Sequence, residues 1–274
     1  MSKGILFYAD GDDYVLQSCL SAKSLKAFND VSISIITNNH IDSKYKNIFD
    51  KIIETPWIEH DNSRFSILNR WKIYHFSPYE ETIVLDSDTL VLQNIDFWWK
   101  LLDNYNLFFL DEVYTYRTVK VNDDVYRKAF RYNFLPNLYS GFHYFKKNDT
   151  SKEFFAWVEL ISKNWELFYG NFCKEYYPKH PSMDVTFSIA SKILHNDKDI
   201  TSKNLSFFIN FVHMKPYIQG WQMPKDLWTD KIGVYFNNNK LYIGNYLQKG
   251  VFHYASDNNF RKYICEKYDK IIGE

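Results

Sequence analysis

Residues 82–95 read TIVLDSDTLVLQNI, and this stretch decides the fold class. An apolar, β-branched run leads into Asp86 and Asp88, which one serine separates, and the chain then turns apolar again. A run in which apolar and polar residues do not alternate is typical of a central strand that is covered on both faces. The stretch therefore predicts a buried strand over 81–88 that ends in two carboxylates at the edge of a sheet.

The segments around this strand predict an α/β fold with a mostly parallel sheet. The predicted strands are at 4–9, 32–38, 51–55, 81–88, 106–114 and 139–147. The predicted helices are at 12–28, 64–76, 151–169 and 183–194. After about residue 200 the chain breaks into short β-rich pieces, two of which flank NNNK at 237–240 and predict a hairpin. Repeats, low-complexity tracts and a clear linker are missing from the sequence, so we predict one domain over 1–274.

Composition argues against several classes of function. The 274 residues include 33 Lys+Arg and 33 Asp+Glu. A net charge of zero argues against an extended basic surface that binds nucleic acid or an anionic membrane. The three cysteines are widely spaced and form no CxxC pair, which favours a reducing compartment without a structural zinc site. No apolar run in the sequence is long enough to cross a bilayer. We therefore expect a soluble cytoplasmic protein.

The two carboxylates predict a metal site. In an extended chain, residues two apart point to the same face, so Asp86 and Asp88 repel each other unless a cation lies beside them. Ligands of open α/β sheets bind outside the carboxyl ends of the strands. Carboxylate oxygens suit Mg²⁺ or Mn²⁺, which commonly bridge to phosphate oxygens. A metal-bound diphosphate explains the pair better than a turn or a helix cap does.

Two other Asp-x-Asp pairs do not follow such a strand. Asp10 and Asp12 lie just after the first strand, where a cap of the following helix explains them. Asp197 and Asp199 lie in HNDKDITSK, which is typical of a solvated turn. Only the pair at 86 and 88 therefore predicts a ligand site by its position.

TIVLDSDTLVLQNI resembles the metal-binding Asp-x-Asp segment of glycosyltransferases with the GT-A fold, especially the family-8-like group. LFYADGDDYVLQSCLSAKSL is similar to the first strand and helix of that group, and YSGFHYFKK to its NxG segment and following strand, although Tyr139 replaces the usual asparagine. The sequence also resembles uncharacterised glycosyltransferase-like proteins of tailed phages. The resemblance implies a nucleotide-binding half at 1–115 and an acceptor half with a C-terminal segment at 116–274.

The resemblance also implies donor-site residues. A ring and a carboxylate near the end of the first strand would contact base and ribose, and a cation before the Asp-x-Asp segment would face the phosphates. Arg70 and Lys72 are two apart on a predicted helix, so at most one of them is expected to point into the cleft, and the resemblance favours Lys72. The implied donor-binding residues are Tyr8, Ala9, Asp10, Tyr14, Lys72, Asp86, Ser87 and Asp88.

For the metal, the resemblance implies a histidine late in the chain as the third ligand, with His253 first and His213 second, although a histidine among apolar residues is commonly a core residue. Lys215 would neutralise diphosphate charge, its alternative being a solvated lysine. Asp184 either caps a helix or orients or deprotonates the acceptor hydroxyl. The implied acceptor-binding residues are Ser140 and Gly141, together with Trp221 as a sugar-stacking wall.

These expectations predict a metal-dependent glycosyltransferase, hexosyl or pentosyl, that uses Mn²⁺ or Mg²⁺ and a nucleotide-diphospho-sugar, with a UDP-sugar favoured. The acceptor is open between a glycan, a lipid-linked sugar, a protein hydroxyl and, less favoured, a modified base in phage DNA. One alternative is a sugar-phosphate nucleotidyltransferase, although ADGDDYVLQS lacks the Gly-rich basic segment such enzymes carry after the first strand. Another is a nucleotide-sugar-binding protein without turnover.

Overall fold

A computed structural model describes residues 2–54, 66–121, 127–222, 227–238, 240–255 and 257–271. Its strands are β1 (Lys3–Tyr8), β2 (Ile33–Ile36), β3 (Lys51–Ile53), β4 (Glu81–Leu85), β5 (Thr89–Val91), β6 (Leu107–Leu110), β7 (Tyr139–Lys146), β8 (Phe211–His213), β9 (Val234–Asn237), β10 (Lys240–Ile243), β11 (Tyr246–Leu247) and β12 (Val251–His253).

The α-helices of the described residues are α1 (Asp12–Lys26), α2 (Ser43–Lys46), α3 (Lys72–Phe76), α4 (Asp96–Leu102), α5 (Lys128–Tyr132), α6 (Asp149–Lys163), α7 (Trp165–Phe172), α8 (Met183–Leu194), α9 (Lys203–Ile209) and α10 (Asn258–Ile271). Short 3₁₀-helices occupy Ser66–Trp71, Pro216–Gln219 and Trp228–Asp230.

The central sheet is mixed, with strand order β3-β2-β1-β4-β7-β6. β3, β2, β1 and β4 run parallel, whereas β7 is antiparallel to both β4 and β6. All five residues of β4 are buried, which confirms the prediction of a central covered strand. The carboxyl ends of β1 and β4 therefore lie side by side, and the start of β7 meets them at the same edge.

Two hydrophobic clusters cover the two faces of this sheet. The face under α1 and α4 includes Phe7, Ile83 and Trp98, and the face under α6 and α8 includes Leu6, Val84 and Phe155. Alternate residues of β1 and β4 thus point into opposite layers, as the period of a strand requires. Many of the aromatic residues are buried in these clusters, and the largest fully buried side chains are all Trp, Tyr or Phe.

A small second sheet brings the late part of the chain to the edge of the central one. Its strand order is β5-β12-β8, with β12 antiparallel to β5 and parallel to β8. The register pairs His253 with Thr89 on one side and with His213 on the other. A third sheet, β11-β10-β9, forms an antiparallel meander that includes the hairpin predicted around 237–240.

Several predicted boundaries were wrong for local reasons. The strand predicted over 81–88 ends at Leu85, because residues 86–88 turn before β5. The helix predicted over 151–169 breaks at Asn164, which has φ −127° and ψ 37°. The helix predicted over 64–76 is a 3₁₀-helix from Ser66 to Trp71 followed by α3, and residues 64–65 lie outside the described part of the chain. Strands predicted over 51–55 and 106–114 are shorter, and residue 55 is likewise outside it.

Both predicted aspartate caps were also wrong. The N-cap position of α1 is occupied by Gly11, which has φ 110° and no side chain that could cap the helix. Asp12 is the first residue of the helix itself. Ser182 caps α8 through a hydrogen bond that its side chain accepts from the Val185 amide, which leaves Asp184 inside the first turn. Asp197 and Asp199 do lie in an exposed turn, as predicted.

Candidate active site

The Asp86–Asp88 turn is fixed by hydrogen bonds from three elements. The Asp86 amide donates to the Gly141 carbonyl at 3.0 Å, and the Tyr254 amide donates to the Asp88 carbonyl at 3.1 Å. Thr89 Oγ1 donates to the Asp86 carbonyl at 2.7 Å. These bonds tie the turn to the start of β7 and to the residue after β12, so the two carboxylates are held in place by the fold.

Serine side chains of helix α1 also form hydrogen bonds at this turn. Ser18 Oγ donates to Ser87 Oγ at 2.9 Å, and the hydroxyls of Ser21 and Thr89 lie 3.1 Å apart. All four residues are buried. Buried hydroxyls that pair with one another avoid the desolvation penalty of unsatisfied polar groups. Helix α1 has no pronounced apolar face, but these hydrogen bonds allow its serines to be buried against the Asp86–Asp88 turn.

Three potential metal ligands meet at this turn. Ligand atoms of Asp86, Asp88 and His253 all lie within 4.8 Å of one another. His253 Nε2 is 3.0 Å from Asp88 Oδ1, and its Nδ1 is buried without a hydrogen-bond partner among the described residues. Two carboxylates and an imidazole nitrogen that face one point fit a divalent cation, with oxygen ligands that suit Mn²⁺ or Mg²⁺.

The second histidine lies behind the first. The rings of His213 and His253 are 4.3 Å apart between centroids and inclined by 31°. Burial lowers the pKa of His213, and the neighbouring His253 lowers it further. Burial also acts to lower the pKa of His253, but Asp88 and Asp86 outweigh it and the net shift is upward. Asp88 thus contacts His253 directly, whereas His213 packs against the His253 ring.

A cleft of about 380 Å³ opens above the turn. It joins the end of β1, the start of α1, the Asp86–Asp88 turn and the residues after β8 and β12. The predicted residues that line it are Tyr8, Asp10, Tyr14, Asp86, Ser87, Asp88, Lys215 and His253. Arg70, the less favoured of the two predicted cations, also lines the cleft, and Ile67 and Ala255, which the sequence did not single out, complete the lining. The Tyr14 side chain is 50% exposed, so its ring is available to a ligand in the cleft.

Arg70, rather than Lys72, is the cation that reaches the carboxylates. Arg70 Nη2 donates to Asp86 Oδ1 in a largely buried ion pair. Burial lowers the pKa of Arg70, but Asp86 raises it by charge and by hydrogen bonding, and the net shift is upward. Lys72 is buried outside the cleft lining, with its Nζ 5.7 Å from the centre of the Trp71 ring.

The other predicted residues lie around the cleft rather than in its lining. Ala9 is buried, and its amide donates to the Ile36 carbonyl at 3.0 Å. Trp221 lies outside the cleft, where its ring is 5.8 Å from that of Tyr116. The Ser140 amide donates a hydrogen bond to Asp184 Oδ1 at 2.8 Å. Gly141 packs directly against the carboxylate of Asp86.

Asp184 is held by Arg127, a residue that the sequence gave no reason to select. Arg127 Nη1 donates to Asp184 Oδ2, and its other nitrogens donate to Asn137 Oδ1 and to the Leu138 carbonyl. The guanidinium carbon lies 3.6 Å and 4.1 Å from the ring centres of Phe130 and Tyr139. Burial raises the pKa of Asp184, but Arg127 and the Ser140 amide outweigh it and the net shift is downward.

Replacing Gly141 by alanine should destabilise the site. A Cβ at this position would lie 2.8 Å from the Phe211 ring and 3.2 Å from Asp86 Oδ2. Because overpacking of this kind forces neighbours to shift, we expect the free energy of unfolding in urea to fall by about 1–3 kcal/mol. Gly170→Ala is the matched control, since a Cβ there meets nothing within 4 Å. Equal stability of the two variants would contradict the expectation.

Among solved structures, the chain is similar to the glycosyltransferase GlyE of Streptococcus pneumoniae TIGR4, with a TM-score of 0.52 and 13% sequence identity over 98% of this chain. The chain has the GT-A fold. This chain spans 60% of the length of GlyE.

Two further solved structures resemble the chain with lower TM-scores. The galactosyltransferase LgtC in complex with donor and acceptor sugar analogs has a TM-score of 0.47 and 14% identity, over 96% of this chain and 95% of LgtC. Mouse xyloside xylosyltransferase 1 has a TM-score of 0.44 and 10% identity, over 74% of this chain and 84% of that enzyme. No family model and no curated protein matches the sequence. None of the described helices is long and apolar enough to cross a membrane.

Proposed function

We propose that the protein is a metal-dependent glycosyltransferase that moves a hexosyl or pentosyl unit from a nucleotide-diphospho-sugar, with a UDP-sugar favoured, to an acceptor hydroxyl. The observation that carries the proposal is the convergence of Asp86, Asp88 and His253 within 4.8 Å at the mouth of a cleft that β1 and β4 share. The GT-A fold of GlyE agrees with it. Residues 1–115 would supply most of the nucleotide site, and residues 116–274 the acceptor side.

Asp86, Asp88 and His253 would hold Mn²⁺ or Mg²⁺, which when bound acts as a Lewis acid toward the diphosphate oxygens. The ring of Tyr14 stacks on the base, with Tyr8 beside it, and the Asp10 carboxylate accepts hydrogen bonds from ribose or base. Lys215 places positive charge beside the departing diphosphate. In the transfer, the bond between the anomeric carbon and the diphosphate oxygen breaks, and its electron pair leaves with the diphosphate. The acceptor oxygen bonds to that carbon, and its proton passes to the departing diphosphate.

The geometry of Asp184 supports an orienting role in this reaction. A general base works best when its pKa is near the working pH. The ion pair with Arg127 and the Ser140 amide lower the pKa of Asp184, which makes it a weak proton acceptor. We therefore assign Asp184 to the positioning of the acceptor side, with Ser140 and Gly141 at the same edge of the sheet.

The three cysteines, all within the described residues, form no disulfide with one another, as a reducing compartment would leave them. We propose a cytoplasmic location on that basis, which would be the host cytoplasm if a phage encodes the protein. For the acceptor we favour a glycan over a modified DNA base, because the chain has no net charge.

The test is a thermal-shift screen of nucleotide sugars with Mn²⁺ and with EDTA. A ligand at one hundred times its Kd stabilises the folded state by about 2.7 kcal/mol, so we expect a clear rise in Tm for one donor that EDTA removes. Product analysis then separates the functions: sugar transfer releases a nucleoside diphosphate, whereas nucleotide transfer releases inorganic diphosphate. A metal-independent shift, or stabilisation without any turnover, would contradict the proposed enzyme.

A further inference from the structure

Asn133 joins three surface segments on the side of the molecule that carries Asp184. Its Nδ2 donates to the Ala129 carbonyl at 2.7 Å and to the Glu175 carbonyl at 2.6 Å, and its Oδ1 accepts from the Glu175 amide at 2.9 Å. Lys192 Nζ donates to the Asn133 carbonyl at 2.7 Å. The end of α5, the residues after α7 and the end of α8 therefore form one fixed surface.

This surface displays aromatic rings to solvent. Phe134 is 85% exposed, the highest value among the exposed large hydrophobic residues described. Tyr132 and Tyr176 are both about half exposed, with ring centres 4.6 Å apart. Phe134 also has φ 52°, a left-handed backbone that is unfavourable for a bulky residue. A strained backbone that holds an apolar ring in water is more common at ligand-binding sites than at neutral surfaces.

A hollow of about 330 Å³ includes Phe134 in its lining. Leu135 and Pro136 form its apolar part, and Lys192, His195 and Asp197 add donors and an acceptor. An apolar ring next to mixed donors and acceptors matches a sugar, which has an apolar face and a rim of hydroxyls. The Asp197 carboxylate in the lining disfavours a phosphodiester ligand, because the two negative charges repel each other.

The hollow is connected to the acceptor side by two elements. Helix α5 begins directly after Arg127, which binds Asp184. Helix α8 carries Asp184 in its first turn and Lys192 in its last. Eight residues of α-helix correspond to a rise of about 12 Å. An oligosaccharide whose reacting hydroxyl lies near Asp184 can extend over this distance, whereas a monosaccharide cannot.

We propose that this surface, the Phe134 platform (Tyr132, Phe134, Tyr176, Lys192, His195 and Asp197), is a second saccharide-binding site. It holds the sugar units of an oligosaccharide acceptor that lie beyond the reacting hydroxyl. The acceptor is therefore a glycan of several units. This inference rests on the proposed glycosyl transfer for its role, but the binding itself does not require turnover.

The test is binding of the whole protein to an array of defined oligosaccharides and monosaccharides, without any donor. We expect the wild type to bind a class of oligosaccharides and Phe134→Ala to lose at least about tenfold in affinity, since stacking and burial of one ring contribute on that scale. Phe134→Asn provides a second variant whose side chain tolerates a left-handed backbone. Phe97→Ala, at a phenylalanine that is 42% exposed on α4, is the matched control and should bind as the wild type does.

Three results would overturn the inference: no oligosaccharide bound by the wild type, unchanged binding by both Phe134 variants, or a wild-type dimer in light scattering that Phe134→Ala dissociates. The last result would make the platform a contact between copies of the chain. Donor-dependent thermal shifts on the same samples report on the proposed function separately, because they depend on the cleft at Asp86 and Asp88 and not on the platform.

Discussion

The double substitution Asp86→Asn/Asp88→Asn should reduce release of nucleoside diphosphate by about a thousandfold or more. Two carboxylates are lost from a three-ligand cluster, and with them several kcal/mol of charge stabilisation on the departing diphosphate. The variant should also lose the Mn²⁺-dependent rise in Tm with the donor. Turnover is measured with the donor that gives the largest thermal shift on the wild-type protein.

The matched control is Asp96→Asn/Asp103→Asn, which removes the same two charges at exposed positions of α4 and the residue after it. We expect this control to keep wild-type turnover. Far-UV circular dichroism establishes that both double variants are folded. Wild-type activity in a folded Asp86→Asn/Asp88→Asn protein would disprove the metal site and the proposed function with it.

We expect the second large effect, a decrease in the free energy of unfolding, for Arg127→Met. Arg127 is 4% exposed and pairs with the carboxylate of Asp184. Removal of one partner of a buried ion pair leaves an uncompensated charge, which costs about 3–5 kcal/mol. Urea denaturation at pH 7 should show a loss of this size. Lys163→Met, which breaks an exposed pair with Glu159 on α6, should cost less than about 0.5 kcal/mol.

The pH dependence of this difference follows from the direction of the shift at Asp184. Its pKa is lower in the folded state than in the unfolded chain, where an aspartate has a pKa of about 3.9. The stabilisation is therefore fully present above the unfolded value and is lost as pH falls through the folded value. The gap between wild type and Arg127→Met should therefore narrow as pH is lowered below about 4, and a constant gap would assign the loss to packing instead.

The first half of the fold is largely predictable because its signals are local. β1, α1, β2 and β4 each show their own pattern, and the carboxylates follow β4 directly in sequence. The direction of β7 is not predictable in this way, since Tyr139–Lys146 has the composition of either a parallel or an antiparallel strand. Its antiparallel pairing with β4 is what brings Gly141 against Asp86.

Parts of the site depend on geometry that the sequence does not encode locally. Residues 66–71 form a 3₁₀-helix, which turns by about 120° per residue rather than 100°, so an α-helical pattern could not decide between Arg70 and Lys72. Arg127 lies in a stretch without helical or strand periodicity, and its partner Asp184 lies 57 residues further along the chain. Only the family resemblance predicts His253 as a candidate ligand, because its pairing with Thr89 spans more than half of the chain.

That last pairing has a consequence for biosynthesis. β12 completes a cluster whose other members lie at positions 86 and 88, so a ribosome that has translated only residues 1–115 has made a chain with two of the three clustered side chains. N-terminal regions generally begin to fold while synthesis continues. A nascent chain can thus form much of the central sheet early, whereas the cluster of the proposed metal site is complete only after residue 253 has left the exit tunnel and β12 has paired with β5.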